Sequence, residues 1–260
     1  MKKPVDRSLY NGEYYINKNH GYDKFLDGYK LLPQFEKFIF DNVRKTDKVL
    51  DVGCGRGEVI VRCAKRGIIC FGIDYSKSAI SICKEVLKDQ KIRSERAEVM
   101  NAKKLGFKDK QFDVVIMMDV VEHLHDWELA KAFSEARRVL KPSGKILIHT
   151  SPNKNNMSIL RSVASLFNIK FASDEFHVNE QTPLSLTRAL KNYFSILTVK
   201  KIKDKQYFSN QVRNRSSLIR SVMALVDFLF DSTLVDLAMK NDVLSDWLST
   251  DIYVVAKRSI

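Results

Sequence analysis

Proline and glycine are scarce, 5 and 10 of 260 residues, which excludes a collagen-like or low-complexity chain. Cysteine is sparse too. Cys54, Cys63, Cys70 and Cys83 lie in one short stretch without a C-x-x-C pair or histidines at zinc spacing, so neither a disulfide scaffold nor a structural zinc site is expected. Reduced thiols packed as small apolar groups in a cytoplasmic protein fit this pattern. The most apolar stretch, 218–239, is broken by Asp227 and Asp231 and does not read as a membrane span. The opening residues MKKPVDRSLYNGEYY carry lysines with no apolar segment behind them, so no secretory signal is expected. Acidic residues are outnumbered, 31 against 44 basic, and the net charge of +13 favours anionic partners: nucleic acid, acidic lipid or phosphorylated small molecules. The basic residues are spread along the chain, with denser stretches at Lys200–Lys205 and Arg213–Arg220.

What is present is core material, 45% hydrophobic, arranged as alternating strand-like and helix-like segments. Residues 1–30 are rich in Tyr, Gly, Asn and Lys and read as an irregular cap. An amphipathic helix follows (31–44). KVLDVG (48–53) reads as a buried strand and GEVIVRCAKRG as a helix. IICFGIDYS (68–76) reads as a second strand, and Ser76 as the N-cap of KSAISICKEVLKD. SERAEVMNA (94–102) and FDVVIMMDVV (112–121) supply two more strands. WELAKAFSEARRVLKPSG is expected to be a helix stopped by Pro142 and Gly144, ahead of the strand KILIHTSPN (145–153). Helices NNMSILRSVASLF and LSLTRALKNY, the strand FSILTVKKI (194–202), a largely helical stretch (212–248) and the strand DIYVVAKR complete the chain. This alternation implies right-handed crossovers and an α/β, doubly wound, mostly parallel sheet of seven strands with helices on both faces. Ligands of such sheets bind outside the carboxyl ends of the strands.

The loop in VLDVGCGRGEVI (49–60) lies at such an end. A dinucleotide fingerprint needs a third glycine where this chain has Glu58, and no G-K-[ST] follows for a nucleotide-phosphate loop. What remains is D-x-G-x-G-x-G: Asp51 closing a strand, then Gly53, Gly55 and Gly57 letting a ligand lie on bare backbone. An acid at that mouth suits an ammonium group. Asp74, closing the second strand, suits the two hydroxyls of a ribose. Each also has a purely structural alternative, Asp51 capping its loop and Asp74 capping the next helix.

On these residues the chain resembles the class I S-adenosylmethionine-dependent methyltransferases. The likeness runs from Lys48 to Asn153 through VLDVGCGRGEVI, GIDYSKSAI, NAKKLGFKDKQFDVVIMMDVVEHLHD and VLKPSGKILIHTSPN. The resemblance implies a Rossmann-like single domain: an N-terminal cap and helix (1–47), a cofactor-binding core (48–153) and an acceptor-side half (154–260) with a helical insertion, 212–248, before the last strand. It implies S-adenosyl-L-methionine as cofactor, with the Gly53–Gly57 loop on the methionine part and Asp74 on the ribose. Tyr75 then packs near the adenine, Asn101 faces its amino group beside Ala102, and Met118 borders the cofactor. The family usually has Asp at the position of Asn101. For Tyr75 and Met118, ordinary packing is the alternative.

Methyl transfer asks for alignment of a nucleophile and removal of its proton. The candidate catalytic residues are Asp119 and His123 in DVVEHLHD and His177 in DEFHVNEQTPLSL. With Glu122, these have the chemistry of a divalent-cation site. E-H after this strand is common in enzymes that need no metal, and no metal is assigned. The E-H and later His resemble the quinone-biosynthesis O-methyltransferases and also small-RNA 2′-O-methyltransferases. His125 is expected in a surface turn and His149 as a hydrogen-bonded core residue. Tyr14, Tyr15 and His20 of the cap are candidates to close over an acceptor, with an aromatic cap packing on its own domain as the alternative. The expected function is methylation of an oxygen on a small or lipid-linked acceptor, a quinone precursor or a sugar. RNA methylation and a non-catalytic cofactor-binding protein are the alternatives. The apolar face of 212–248 needs a cover, from the domain, a second subunit, an acceptor or a membrane surface.

Overall fold

The computed structural model describes residues 3–18, 22–165, 176–204, 208 and 217–259. His20, Arg213 and Arg215 lie outside these residues. Among them, the chain folds as α1 (Tyr22–Leu26), α2 (Pro33–Phe40), β1 (Lys48–Val52), α3 (Glu58–Lys65), β2 (Ile69–Asp74), α4 (Lys77–Asp89), β3 (Ala97–Val99) and β4 (Phe112–Met118). It continues as α5 (Asp126–Val139), β5 (Leu140–Thr150), α6 (Lys154–Ser165), α7 (Pro183–Leu190), β6 (Phe194–Ile202), α8 (Ser217–Phe230), α9 (Thr233–Ala238), α10 (Asp242–Leu248) and β7 (Asp251–Arg258).

The strands form one seven-stranded sheet in the order β3-β2-β1-β4-β5-β7-β6. Pairs from β3 to β5 are parallel, and β7 runs antiparallel to both β5 and β6. Side chains alternate across a strand, and here both faces are buried. Val49, Val114, Ile116, Tyr253 and Val255 pack with Ile39, Ile60, Cys83 and Leu87 on one face. Leu50, Val115, Met117, Ile252 and Val254 pack with Leu129, Phe133, Leu186 and Leu190 on the other. All four cysteines are buried and unpaired as disulfides.

The expected third strand shrinks to Ala97–Val99, and the expected stop at Pro142 and Gly144 falls elsewhere. α5 ends at Val139, and Leu140 already pairs with Phe112. The next matched pair is Val114 with Lys145, so Lys141–Gly144 loops out opposite Asp113. Lys141 holds that bulge by binding both Asp113 oxygens at 2.8 Å. A side chain on Gly144 would meet the Lys141 and Asp113 carbonyls at 3.0 and 3.1 Å, so this glycine serves a close backbone approach.

The domain covers only one side of the insertion. Met223 of α8 packs with Met157, Leu160 and Phe208, and Asp227 accepts the Phe208 N–H at 2.9 Å. Lys203, at the end of β6, ties down α8 and α9 through the Phe230 carbonyl and Asp236. Phe228, Leu234 and Leu237 remain exposed. Among the described residues no helix is long and apolar enough to cross a membrane.

Gly57, with φ of +90°, precedes α3, and a Cβ there would lie 2.5 Å from the Cys83 sulfur. Gly55, at φ +50°, has only the Tyr15 ring at 3.7 Å. Gly57→Ala is expected to cost about 2–3 kcal/mol in urea unfolding and Gly55→Ala about 1 kcal/mol, since only the first adds a clash to the backbone strain.

Candidate active site

A cleft of about 260 Å³ opens at the carboxyl ends of β1, β2 and β4 and is roofed by the cap. β1 delivers Asp51, a residue 2% exposed whose Oδ2 has no hydrogen-bond partner. Burial, then the Glu58 and Asp74 carboxylates, push it well above the ordinary carboxylate range. A cationic group placed beside it would reverse that penalty, so the site fits an ammonium. Gly53 and Gly55 form the cleft floor; Gly57 lies behind it, closed off by Cys83.

Asp74 ends β2 and works for the fold as well as for the cleft. Its Oδ1 accepts the Ser76 N–H at 2.8 Å and, at 3.4 Å, the Tyr15 hydroxyl, while Oδ2 accepts the Gly55 N–H at 3.0 Å. Burial raises its pKa, and these donors offset part of the rise. Tyr75, Asn101, Ala102 and Met118 line the cleft as expected. Asn101 Oδ1 accepts the Lys103 N–H at 3.0 Å, closing its own turn and keeping one lone pair for a ligand.

Arg56 has no place in the sequence reading, yet it fastens the cap. Its Nη1 donates to the Tyr15 carbonyl at 2.7 Å, its Nη2 pairs with Glu58 at 2.5 Å, and its guanidinium lies 4.9 Å from the Phe25 ring centroid. Glu58, which stands where a dinucleotide fingerprint would have its third glycine, is thus paired locally with Arg56. Tyr10 is a second missed residue: its carbonyl accepts the Ser76 hydroxyl at 2.6 Å, and its own hydroxyl lies 3.1 Å from His123 Nδ1. The only sequence signal was the tyrosine-rich composition of the cap.

Asp119 follows β4 in a left-handed conformation, φ +54°, with 45% of its side chain open to the cleft. Its Oδ1 lies 2.7 Å from His149 Nδ1, and His149 Nε2 lies 3.0 Å from Asp251. Burial opposes a charged ring, but the two carboxylates outweigh it and hold His149 up to about 10. Burial likewise opposes charge on Asp119, and the adjacent imidazolium keeps its carboxyl below the usual range. Asp119 is thus drawn to His149 and away from the four-group cluster expected from the sequence.

Glu122, His123 and His177 do come together. Glu122 is fully buried, with Oε2 accepting from the Thr150 hydroxyl at 2.9 Å; burial, then the Asp119 charge, raises it to about 8. His123 lines the cleft, 4.9 Å from the His177 ring centroid to centroid, while His177 stands behind it and outside the lining. The loop carrying His177 is pinned by Asn179, which donates to the Glu122 and Leu124 carbonyls at 3.0 and 2.8 Å. Burial lowers both imidazoles, His177 to about 3. His125 caps α5 and contacts the Lys3 carbonyl at 2.9 Å.

Residues 50–148 match the family described as methyltransferase domain. That stretch is a methyltransferase domain similar to those of S-adenosylmethionine-dependent methyltransferases. The chain is 32% identical over 124 residues to norajmaline N-methyltransferase of Rauvolfia serpentina, covering 47% of this chain and 42% of that protein. It is 34% identical over 120 residues to the ubiquinone biosynthesis O-methyltransferase of Pelagibacter ubique, covering 46% and 48%. The alignments thus span about half the length of either relative or less. The fold extends further. The geranyl diphosphate C-methyltransferase of Streptomyces coelicolor A3(2), solved with Mg2+, geranyl diphosphate and S-adenosyl-L-homocysteine, superposes with TM-score 0.62 at 18% identity. That superposition covers 99% of this chain and 91% of the other, and at this identity it shows the fold alone.

His149 has a folded pKa of about 10 against an ordinary 6.5, so its contribution to stability is complete below pH 6.5 and is lost as pH rises through about 10. Chemical denaturation across that range should show declining stability for the native chain and a flatter profile for His149→Gln.

Proposed function

We propose that the protein is an S-adenosylmethionine-dependent enzyme that methylates an oxygen of a small or lipid-linked acceptor, such as a quinone precursor or a sugar. The observation that carries the donor half is Asp51, a buried carboxylate with an unpartnered oxygen beside bare glycine backbone. It binds the donor's ammonium, with Gly53 and Gly55 under the methionine chain. Asp74 takes the ribose hydroxyls in place of the Tyr15 hydroxyl, and Tyr75, Asn101, Ala102 and Met118 enclose the adenine end.

The donor supplies an electrophilic methyl group on a sulfonium, and the chain aligns a nucleophile with it. Asp119, ionised and facing the cleft, accepts the hydrogen bond of an acceptor hydroxyl and takes its proton as the oxygen–methyl bond forms. An oxygen being alkylated becomes so acidic that a weak base suffices. His123 fixes the same oxygen from the other side, and His177 supports its ring. This facing pair supports an oxygen acceptor, although the relatives named above include N-, O- and C-methyltransferases. The net charge of +13 favours a second acceptor class, RNA, whose binding would weaken steeply with salt. Four reduced, buried thiols support a cytoplasmic location.

Asp74→Ala should abolish donor binding in titration calorimetry; an unchanged affinity would refute the cofactor assignment. His123→Ala should keep donor affinity while lowering turnover by about 100-fold or more. Incubating the protein with cell extract and methyl-labelled donor, then identifying the labelled product, decides the acceptor.

A further inference from the structure

β7 runs antiparallel to β5 and β6, so Ile202 at the end of β6 pairs with Asp251 at the start of β7 on the edge where β5 ends, with Thr150 opposite Ile252. The insertion between β6 and β7 therefore sits on the edge that carries the cleft. Its helices have a firmly held inner face. Met223 is buried against Met157 and Leu160, and Asn153 Nδ2 donates to the Asp246 carbonyl and to the Ser249 hydroxyl, both at 2.8 Å. The outer face is apolar. Phe228 and Leu229 of α8, Leu234 and Leu237 of α9, and Val243 and Trp247 of α10 are each 48% to 78% exposed. Single exposed apolar side chains are ordinary, but a set of them on three consecutive helices marks a surface that meets another apolar phase.

Charge narrows what that phase is. The stretch leading into α8, 200–220, carries seven basic residues against one acidic. Arg220 is exposed and shares the face of Phe228 by helical spacing, and Lys240 is exposed in the turn between α9 and α10. The acids further along are bound to lysines of the β6 end: Asp231 and Asp236 lie 3.4 and 2.6 Å from Lys203, and Asp242 and Asp246 lie 3.6 and 2.8 Å from Lys201. A second copy would bring together two chains of net charge +13, each with the same basic stretch beside its apolar face, and like charge opposes that contact. A nucleic acid answers the charge and leaves the apolar side chains in water. An anionic lipid surface answers both. No helix among the described residues is long and apolar enough to cross a bilayer, so these helices are suited to lie on one.

We infer that α8, α9 and α10 form a platform that docks on an anionic lipid bilayer, with Phe228, Leu234 and Trp247 entering the acyl boundary and Arg220 and Lys240 meeting the headgroups. Long basic side chains reach headgroups while their stems stay on apolar surface, and a tryptophan is at home at that boundary. The platform ends close to the chemistry: Trp247 is followed within one turn by Asp251, which holds His149 beside Asp119. Docking thus turns the cleft edge towards the membrane and lets a lipid-linked acceptor enter from it. That use rests on the methyl-transfer reading and deepens it, whereas the docking itself does not depend on it.

The test floats the full chain with vesicles of equal parts phosphatidylcholine and phosphatidylglycerol, and with phosphatidylcholine alone. Binding to the mixed vesicles is expected, about tenfold or more tighter than to the neutral ones. Leu234→Glu with Leu237→Glu should weaken it about tenfold or more, as should Arg220→Glu with Lys240→Glu, with circular dichroism and donor affinity unchanged because all four positions are exposed. In a Trp127→Phe chain, Trp247 emission should shift to the blue on the mixed vesicles and be quenched by brominated acyl chains, a readout that leaves the platform unaltered. Absence of vesicle binding, equal binding to neutral vesicles, or full affinity in both double variants overturns the platform. A dimer in sedimentation that Leu234→Glu with Leu237→Glu dissociates also overturns it, since a second copy then occupies the face. Donor binding without vesicle binding leaves the methyl-transfer reading standing, and vesicle binding without donor binding keeps the platform and sinks that reading.

Discussion

Three backbone amides join the ends of β1 and β2, and the cleft depends on them. The N–H groups of Gly53 and Cys54 both donate to the Ile73 carbonyl, at 2.8 and 2.9 Å, and that of Gly55 donates to Asp74. They force the chain after β1 to turn across the end of β2, which is sterically open because Gly72 leaves the space that Ile60 and Cys54 fill. With the loop so placed, Asp51 and Asp74 face one space 23 residues apart in the chain, and α3 starts from a glycine with no side chain to block it. The donor end of the cleft is thus built from main-chain geometry, with few side chains able to drift.

The acceptor end is built from charge. His149 is clamped between Asp119 and Asp251, and its ring packs 4.6 Å from Phe35 and 4.5 Å from Tyr253. A protonated histidine in an apolar layer persists only with both carboxylates present, so Asp119 reaches the cleft already committed to ionisation. The neighbouring Glu122, His123 and His177 lack such compensation and stay neutral. Two adjacent clusters therefore differ in charge state, one charged and satisfied internally, the other neutral and not.

Much of this was legible in sequence where one residue type has one physical meaning. Buried parallel strands read as apolar runs, and the glycine loop, Asp51 and Asp74 stand at fixed places relative to them. The Ser76 cap and the strands at 194–202 and 251–258 were read directly from pattern. Pro142 and Gly144 were misread because the same residues that stop helices also allow a bulge, and only the pairing of Leu140 with Phe112 distinguishes the two. Arg56 was missed because its partners, Glu58 and the Tyr15 carbonyl, include a backbone atom from a distant segment. The separation of Asp119 from Glu122, His123 and His177 was illegible for a similar reason: Asp251, which completes the competing pair, comes from the last strand.

Placing β7 between β5 and β6 makes β6, nine residues long, an outermost strand of the sheet, with no strand paired to its other side among the described residues. Such a rim is a template for strand addition by another polypeptide. Here the register slips between Ile196 and Thr198, breaking the regular spacing a foreign strand would have to match, and exposed Lys200 adds positive charge, while Lys201 is paired with Asp246. The irregular pairing inside the sheet thus also guards the molecule against edge-to-edge polymerisation.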